Sequence, residues 1–172
     1  MTFAEENDTD AYLTLYDDLK AFVSTEGPFD AVMAFSGGAA VAASLIVNYI
    51  RSTSAQEPSP FNFKCAVFFC AANPVDIAAI QSGSLRKLDA TVDGRLINIP
   101  TAHVWTPDDD VHPGFGKILG QLCAVDIKEE YIHQLGHTIP GAQSDEGVPE
   151  TIRAIRRTIE RAAEMFPETR LL

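Results

Sequence analysis

Apolar positions along the chain change period several times, and each change marks an element. Tyr12, Leu13, Leu15, Tyr16, Leu19, Phe22 and Val23 fall on one helical face, with Asp10 placed as an N-cap and Gly27-Pro28 as a stop. Ala31 to Phe35 (AVMAF) is a continuous apolar run of the length of a buried strand. It leads into GGAAVAASLIVNY, from Gly37 to about Tyr49, which reads as a helix whose small residues let two backbones approach. Ser52 to Pro60 (STSAQEPSP) is a loop. Cys65 to Phe69 predicts a second buried strand, Ile99 to Trp105 a third, and Glu129 to His133 a weaker fourth. Helices fit Phe115 to Cys123 and Pro149 to Met165, where the proline sits in the first turn. Between Ala71 and Leu96 the pattern is irregular, apart from a short helix around Val75 to Gln81. Strand and helix alternate, and the strands carry little polar alternation. This predicts an α/β fold with a mostly parallel sheet covered on both faces.

Composition narrows the class. A chain of 172 residues that is 46% hydrophobic is one domain, able to bury a core without a disulfide or metal staple. Residues 1–10 are acidic and read as a loose lead-in. Thirteen Lys+Arg against 24 Asp+Glu leave a net charge of -11, with no basic stripe for nucleic acid and no polybasic patch for anionic lipid. No apolar stretch reaches the roughly 18 residues of a membrane span. The opening MTFAEENDTD is unlike a secretory or mitochondrial leader, so a cytoplasmic protein is expected. Cys65, Cys70 and Cys123 form no CxxC pair and read as reduced thiols.

In parallel sheets, chemistry gathers beyond the carboxyl ends of the strands. Those ends carry Ser36-Gly37-Gly38, then Ala71-Ala72-Asn73-Pro74, then Thr106-Pro107-Asp108-Asp109-Asp110, then Leu135-Gly136-His137. A serine, an acid and a histidine thus come after separate strands in the order of an α/β hydrolase. Ser36 stands in an A-x-S-x-G pattern, with small residues Ala34 and Gly38 two positions to either side, as a nucleophile elbow requires. The Gly37 N–H, opening the next helix, would then face a developing oxyanion. A tight turn that only packs, or one that holds a phosphate, is the competing reading. The run Asp108 to Asp110 is a solvated loop, a divalent-cation seat or the source of a triad acid. No second carboxylate cluster ends another strand, so neither metal nor cofactor is expected. Of four histidines, His103 reads as a core residue, His112 as a surface loop residue, and His133 has no assigned face. His137, at a strand end where a loop can reach over Ser36, is favoured as the base. Arg153, Arg156, Arg157 and Arg161 read as a solvated face paired with Glu150 and Glu160.

The stretch GPFDAVMAFSGGAAVAASL, Gly27 to Leu45, resembles the GPFDGVxGFSQGA-like elbow of the FSH serine hydrolases. IPTAHVWTPDDDVHP, Ile99 to Pro113, resembles the family's IPTLHVxGxxDxVVP segment, and Leu135 to Pro140 its GGHxVP segment. The resemblance runs from about residue 12 to residue 160. It implies a three-layer, mostly parallel α/β-hydrolase sheet, and ester or thioester hydrolysis with Ser36, Asp109 and His137 as catalytic residues. It further implies small acyl substrates and, for some fungal members, acyl chains on carrier proteins of polyketide synthases.

Ala34 and Gly37 replace a glycine and a glutamine of the family elbow, and Thr106 stands where glycine is common before the acid. Family members also begin with a strand ending in an HGxG-like motif well before the serine, whereas here the serine is residue 36. The expectation is an N-terminally truncated sheet that lacks the second oxyanion donor. Ala31–Phe35 then becomes an apolar edge open to self-association. Two other functions compete: a hydrolase remnant that binds a partner or an acyl ligand, and a flavodoxin-like module with phosphate at Phe35–Ala39.

Overall fold

Three apolar runs and the weaker, polar fourth segment become strands: β1 (Ala31–Phe35), β2 (Cys65–Phe69), β3 (Thr101–Trp105) and β4 (Lys128–Ile132). They form one parallel sheet in the order β1-β2-β3-β4. The computed structural model describes residues 9–52 and 60–167, so most of the expected lead-in and most of the Ser52–Pro60 loop lie outside the described residues. The helices are α1 (Thr9–Glu26), α2 (Gly37–Ser52), α3 (Ile77–Gln81), α4 (Ala90–Asp93), α5 (Phe115–Gln121) and α6 (Val148–Met165).

Every residue of β2 and β3 is buried, which is why both read as unbroken apolar runs. Successive side chains point to opposite faces. Ala66 and Phe68 join the cluster built on Ala39, Ala43 and Ile46 of α2. Val67, Phe69, Ala102 and Val104 pack with Ala154 of α6. Helices thus cover both faces of β2 and β3, while the α6 face of β1 stays open, so β1 is not the fully buried strand its apolar run suggests. The alanines of α2 bring its backbone close to the sheet; Ala39 and Ala43 are fully buried.

β1 is an edge, paired only with β2 among the described residues. Its outward side chains Met33 and Phe35 are 63% and 37% exposed, which is the apolar edge expected from the sequence. Several expectations need correction. Asp10 lies inside the first turn of α1 rather than capping it. Phe22 is 55% exposed, because α1 turns Tyr16, Leu19 and Val23 toward the core and Phe22 lies off that stripe. Arg157 and Arg161 pair with Glu129 of β4, at 3.5 and 3.2 Å, and not along their own helix.

The irregular stretch from Ala71 to Leu96 is ordered by charge. Asp76 caps α3 through the Ala78 and Ala79 amides. Its carboxylate also receives Arg51 at 3.1 Å and Arg86. Arg86 grips Asp93 with two bonds of 2.9 Å, and Arg51 reaches Asp93 at 3.3 Å. Both aspartates hold both arginines, so the end of α2 is tied to α3 and α4. The hydrogen bonds from Arg86 bring the Asp93 carboxyl down to about 2.

Candidate active site

Ser36 occupies the single residue between β1 and α2, and its φ is 57°. An L-residue adopts that left-handed conformation at a cost of about 1–3 kcal/mol, so the surroundings must hold it there. Its N–H donates to Phe69 O at 2.9 Å, and its carbonyl accepts from Ala39 N and Ala72 N, both at 3.1 Å. These bonds turn Oγ out of the sheet at the carboxyl end of β1. Gly38 does not obey the steric expectation: a Cβ placed there meets nothing within 4 Å.

The loop after β3 supplies Asp109, which is buried while Asp108 and Asp110 are exposed. Oδ1 accepts from Val111 N at 2.9 Å and His112 N at 2.7 Å. Oδ2 lies 2.8 Å from His137 Nδ1. Burial pushes the carboxyl up, but the His112 amide, His137 and the Val111 amide together hold it below its ordinary value. Asp109 is therefore a carboxylate, and His137 Nδ1 carries the proton that it accepts.

His137 comes directly after Gly136, whose φ of 73° turns the chain back over the sheet. The imidazole packs against Phe35, ring centres 4.9 Å apart, and Nε2 lies 2.9 Å from Ser36 Oγ. With Nδ1 protonated, Nε2 offers a lone pair, and the serine hydroxyl donates to it. The structure thus brings Ser36, His137 and Asp109 into one hydrogen-bonded line. Such a line can draw the proton from an alcohol as its oxygen attacks a carbon. Gly37 opens α2, where the first amides have no intrahelical acceptor.

The other histidines divide differently from the sequence expectation. His103 is a core residue as expected, bonded at 3.1 Å to Thr101 and driven down to about 3 by burial, with Lys128 adding to it. His133 lies just after β4 and is buried; its Nδ1 accepts the Leu135 amide at 3.2 Å. His112 is half-buried against the serine and not a freely solvated loop residue. Its Nε2 lies 3.2 Å from Ser36 Oγ, and its ring stacks on Phe115 at 5.7 Å. The sequence offers only its closeness to the acids as a signal.

Cys70 also escapes the sequence pattern. At the end of β2 it takes φ 40°, and its thiol donates to Thr138 O at 3.4 Å. Burial, with the Asp109 charge adding to it, raises the thiol to about 11, so it stays protonated and steadies the segment carrying His137. Donor atoms of Cys70, Asp109 and His137 lie within 4.8 Å of one another. In this arrangement the carboxylate and imidazole are already engaged with each other.

Beside Ser36 lies a largely apolar cavity of about 590 Å³. Its walls are Leu15 and Tyr16 of α1, Val41 and Leu45 of α2, and Ile77 and Ile80 of α3, with Gly37 and His112 at the serine end. The irregular Ala71–Leu96 stretch also contributes to it, through Ala72, Val75 and Leu85 among others.

The family model described as serine hydrolase (FSH1) matches residues 3–148. Esterase FPY3 of Fusarium mangiferae is 36% identical over 152 residues, which is 87% of this chain and 66% of that protein. Esterase OVCA2 of Danio rerio is 31% identical over 147 residues, 83% of this chain and 58% of that protein. The chain therefore spans roughly three fifths to two thirds of the length of these relatives. Among solved structures, YahD with malic acid aligns at a TM-score of 0.55 and 19% identity, covering 90% of this chain and 65% of that one. The esterase domain of a Rhodothermus marinus protein aligns at 0.53 and 16%, covering 85% and 67%. Both likenesses concern the fold. Sequence match and fold agree: the chain is a member of the FSH1 serine hydrolase family, built on the α/β-hydrolase sheet.

Proposed function

We propose that the protein is a serine hydrolase that cleaves carboxylic esters or acyl thioesters through an acyl-enzyme. Ser36 Oγ attacks the acyl carbonyl, and His137 Nε2 takes its proton. Asp109 holds the imidazole in the required tautomer and stabilises its charged form. The leaving alcohol or thiol then takes the proton from His137 Nε2, and water repeats the sequence on the acyl-enzyme. The Gly37 amide serves the oxyanion. The observation that carries this reading is the unbroken line from Ser36 Oγ to His137 at 2.9 Å and on to Asp109 at 2.8 Å, with the serine at φ 57°.

The apolar cavity beside the serine supports an acyl chain as the recognised part of the substrate. Alcohol and thiol leaving groups both suit this chemistry, because His137 Nε2 can supply a proton to either. Comparing the p-nitrophenyl ester with the N-acetylcysteamine thioester of one acyl chain measures the preference and tests the polyketide-type role. The open edge of β1 supports self-association, which sedimentation velocity reads.

The deciding experiment is intact-mass analysis after treatment with a fluorophosphonate, with Ser36→Ala and His137→Ala alongside. One adduct on Ser36, absent from the first variant and strongly slowed in the second, is expected. A folded wild-type protein that takes no adduct refutes the assignment.

A further inference from the structure

His112 touches the serine, yet the proposed reaction gives it no task. We propose that His112 is a second catalytic hydrogen-bond donor, its Nε2–H serving the oxyanion that forms when Ser36 adds to an acyl carbonyl. This role rests on the hydrolase reading above.

Proton counting sets the direction of the contact. Asp109 is a carboxylate whose oxygens accept from Val111 N, His112 N and His137 Nδ1. His137 Nε2 is then an acceptor, and the one proton of the Ser36 hydroxyl goes to it. The remaining 3.2 Å contact to Ser36 Oγ requires a donor on the other side, so His112 carries its proton on Nε2. Burial, aided by the nearness of His137 and opposed by Asp109, lowers the pKa of His112. It is a neutral donor at neutral pH and does not compete with His137 for the serine proton.

The donor is also fixed in place. The His112 amide is anchored on Asp109 at 2.7 Å. The ring lies parallel to Phe115, 8° between planes, and meets the His137 ring edge-on, 78° between planes at 5.3 Å. Orientation is thus set before any substrate arrives, which is the condition under which a dipole stabilises a transition state without reorganising. His112 and Gly37 both border the serine end of the apolar cavity.

In the addition step, the Oγ–C bond forms and the carbonyl π pair moves onto oxygen, while the Oγ proton passes to His137 Nε2. Oγ gives up a lone pair and becomes a poorer acceptor; the carbonyl oxygen becomes an anion. The best acceptor near His112 Nε2–H shifts from the serine to that anion, so the bond strengthens only as the reaction proceeds. In the collapse step the pair returns, the bond to the leaving oxygen or sulfur breaks, and the leaving group takes the proton from His137. His112 neither gains nor loses a proton.

The test compares wild type with His112→Phe, which keeps the stack on Phe115 without a donor, and His112→Gln, which restores an N–H. The readouts are the second-order rate of fluorophosphonate labelling at Ser36 and kcat and KM on a p-nitrophenyl ester. His112→Phe is expected to lose about 10²–10³-fold in labelling rate and in kcat, with KM little changed. His112→Gln should recover at least about tenfold of that loss. Equal labelling of His112→Phe and a labelled wild type overturns the role of His112 alone. A wild type without label overturns the hydrolase reading, and this role with it. Long-range ¹H–¹⁵N spectra of the histidine rings give a reading independent of turnover: Nε2–H at His112 is expected, and Nδ1–H refutes the proposal.

Discussion

Asp109→Asn separates the chemistry of the acid from its structural duty. The carboxylate has two ends with different partners: Oδ1 receives the Val111 and His112 amides at 2.9 and 2.7 Å, and Oδ2 receives His137 Nδ1–H at 2.8 Å. An asparagine has one acceptor end and one donor end. Its NH₂ cannot face two backbone N–H groups, so the carbonyl oxygen keeps the amides and the NH₂ turns to His137. The imidazole must then accept at Nδ1 and carry its proton on Nε2, aimed at Ser36. The serine loses its base while the loop keeps its hydrogen bonds. A wrong tautomer of this kind costs about 10⁴ in rate, or about 5 kcal/mol. Stability should fall by no more than about 2 kcal/mol, since both amides stay paired. Fluorophosphonate labelling followed by intact mass gives the rate, and thermal melting of the same sample gives the stability. A variant labelled within a factor of about ten of wild type would refute the reasoning, because Asp109 would then not be setting the tautomer.

Ser36→Gly should abolish labelling yet raise the melting temperature by about 2–4 °C, because glycine accepts φ 57° without strain; a lower melting temperature would show that the turn stores none. Gly116→Ala brings a Cβ to 2.7 Å from the Cβ and Cγ of Trp105. It should cost about 1–3 kcal/mol in urea unfolding and alter the near-ultraviolet dichroism of the single tryptophan; an unchanged spectrum and midpoint would count against the close packing of α5 on β3. Asp93 is held at about 2 by Arg86, below its ordinary value of 3.8. Its ionised form therefore stabilises the fold at every pH above about 4, and that contribution disappears as pH falls toward about 2. With Arg86 partly exposed, Asp93→Asn should lose about 1–2 kcal/mol at pH 7 and converge with wild type near pH 2; a gap that persists at acid pH would refute an ionic origin.

The strand ends are legible because β2 and β3 are buried on both faces and leave unbroken apolar runs, so the turn after each run stands out. That pattern marks the Asp108–Asp110 turn after β3; β1 and β4 are partly exposed, so for Ser36 and His137 the signal is the order of serine, acid and histidine after successive strands. Which aspartate faces His137 is decided by the turn that Val111 N and His112 N make around Asp109, and local pattern does not encode that. His112 escapes for the same reason: the loop that carries it folds back over the serine, a long-range contact with no periodic signature. The partners of Arg51 are also hidden, since Asp76 and Asp93 lie 25 and 42 residues away in sequence. Phe22 shows the opposite error, where helical spacing assigns to the core a residue that lies off the buried stripe of its helix.

The cavity's outer wall has a kinetic consequence. α1 is eighteen residues long and buries Val23 alone, whereas α2 buries seven residues against the sheet. Local opening draws on the elements with the fewest buried contacts, so α1 swings away at lower cost than α2. The cavity is thus a rigid floor under a yielding roof. Under the proposed function, an acyl chain longer than the resting cavity is expected to displace α1 rather than be excluded. Selectivity by length should then level off rather than end in a sharp cutoff, with the breathing of α1 setting how fast long chains enter and leave.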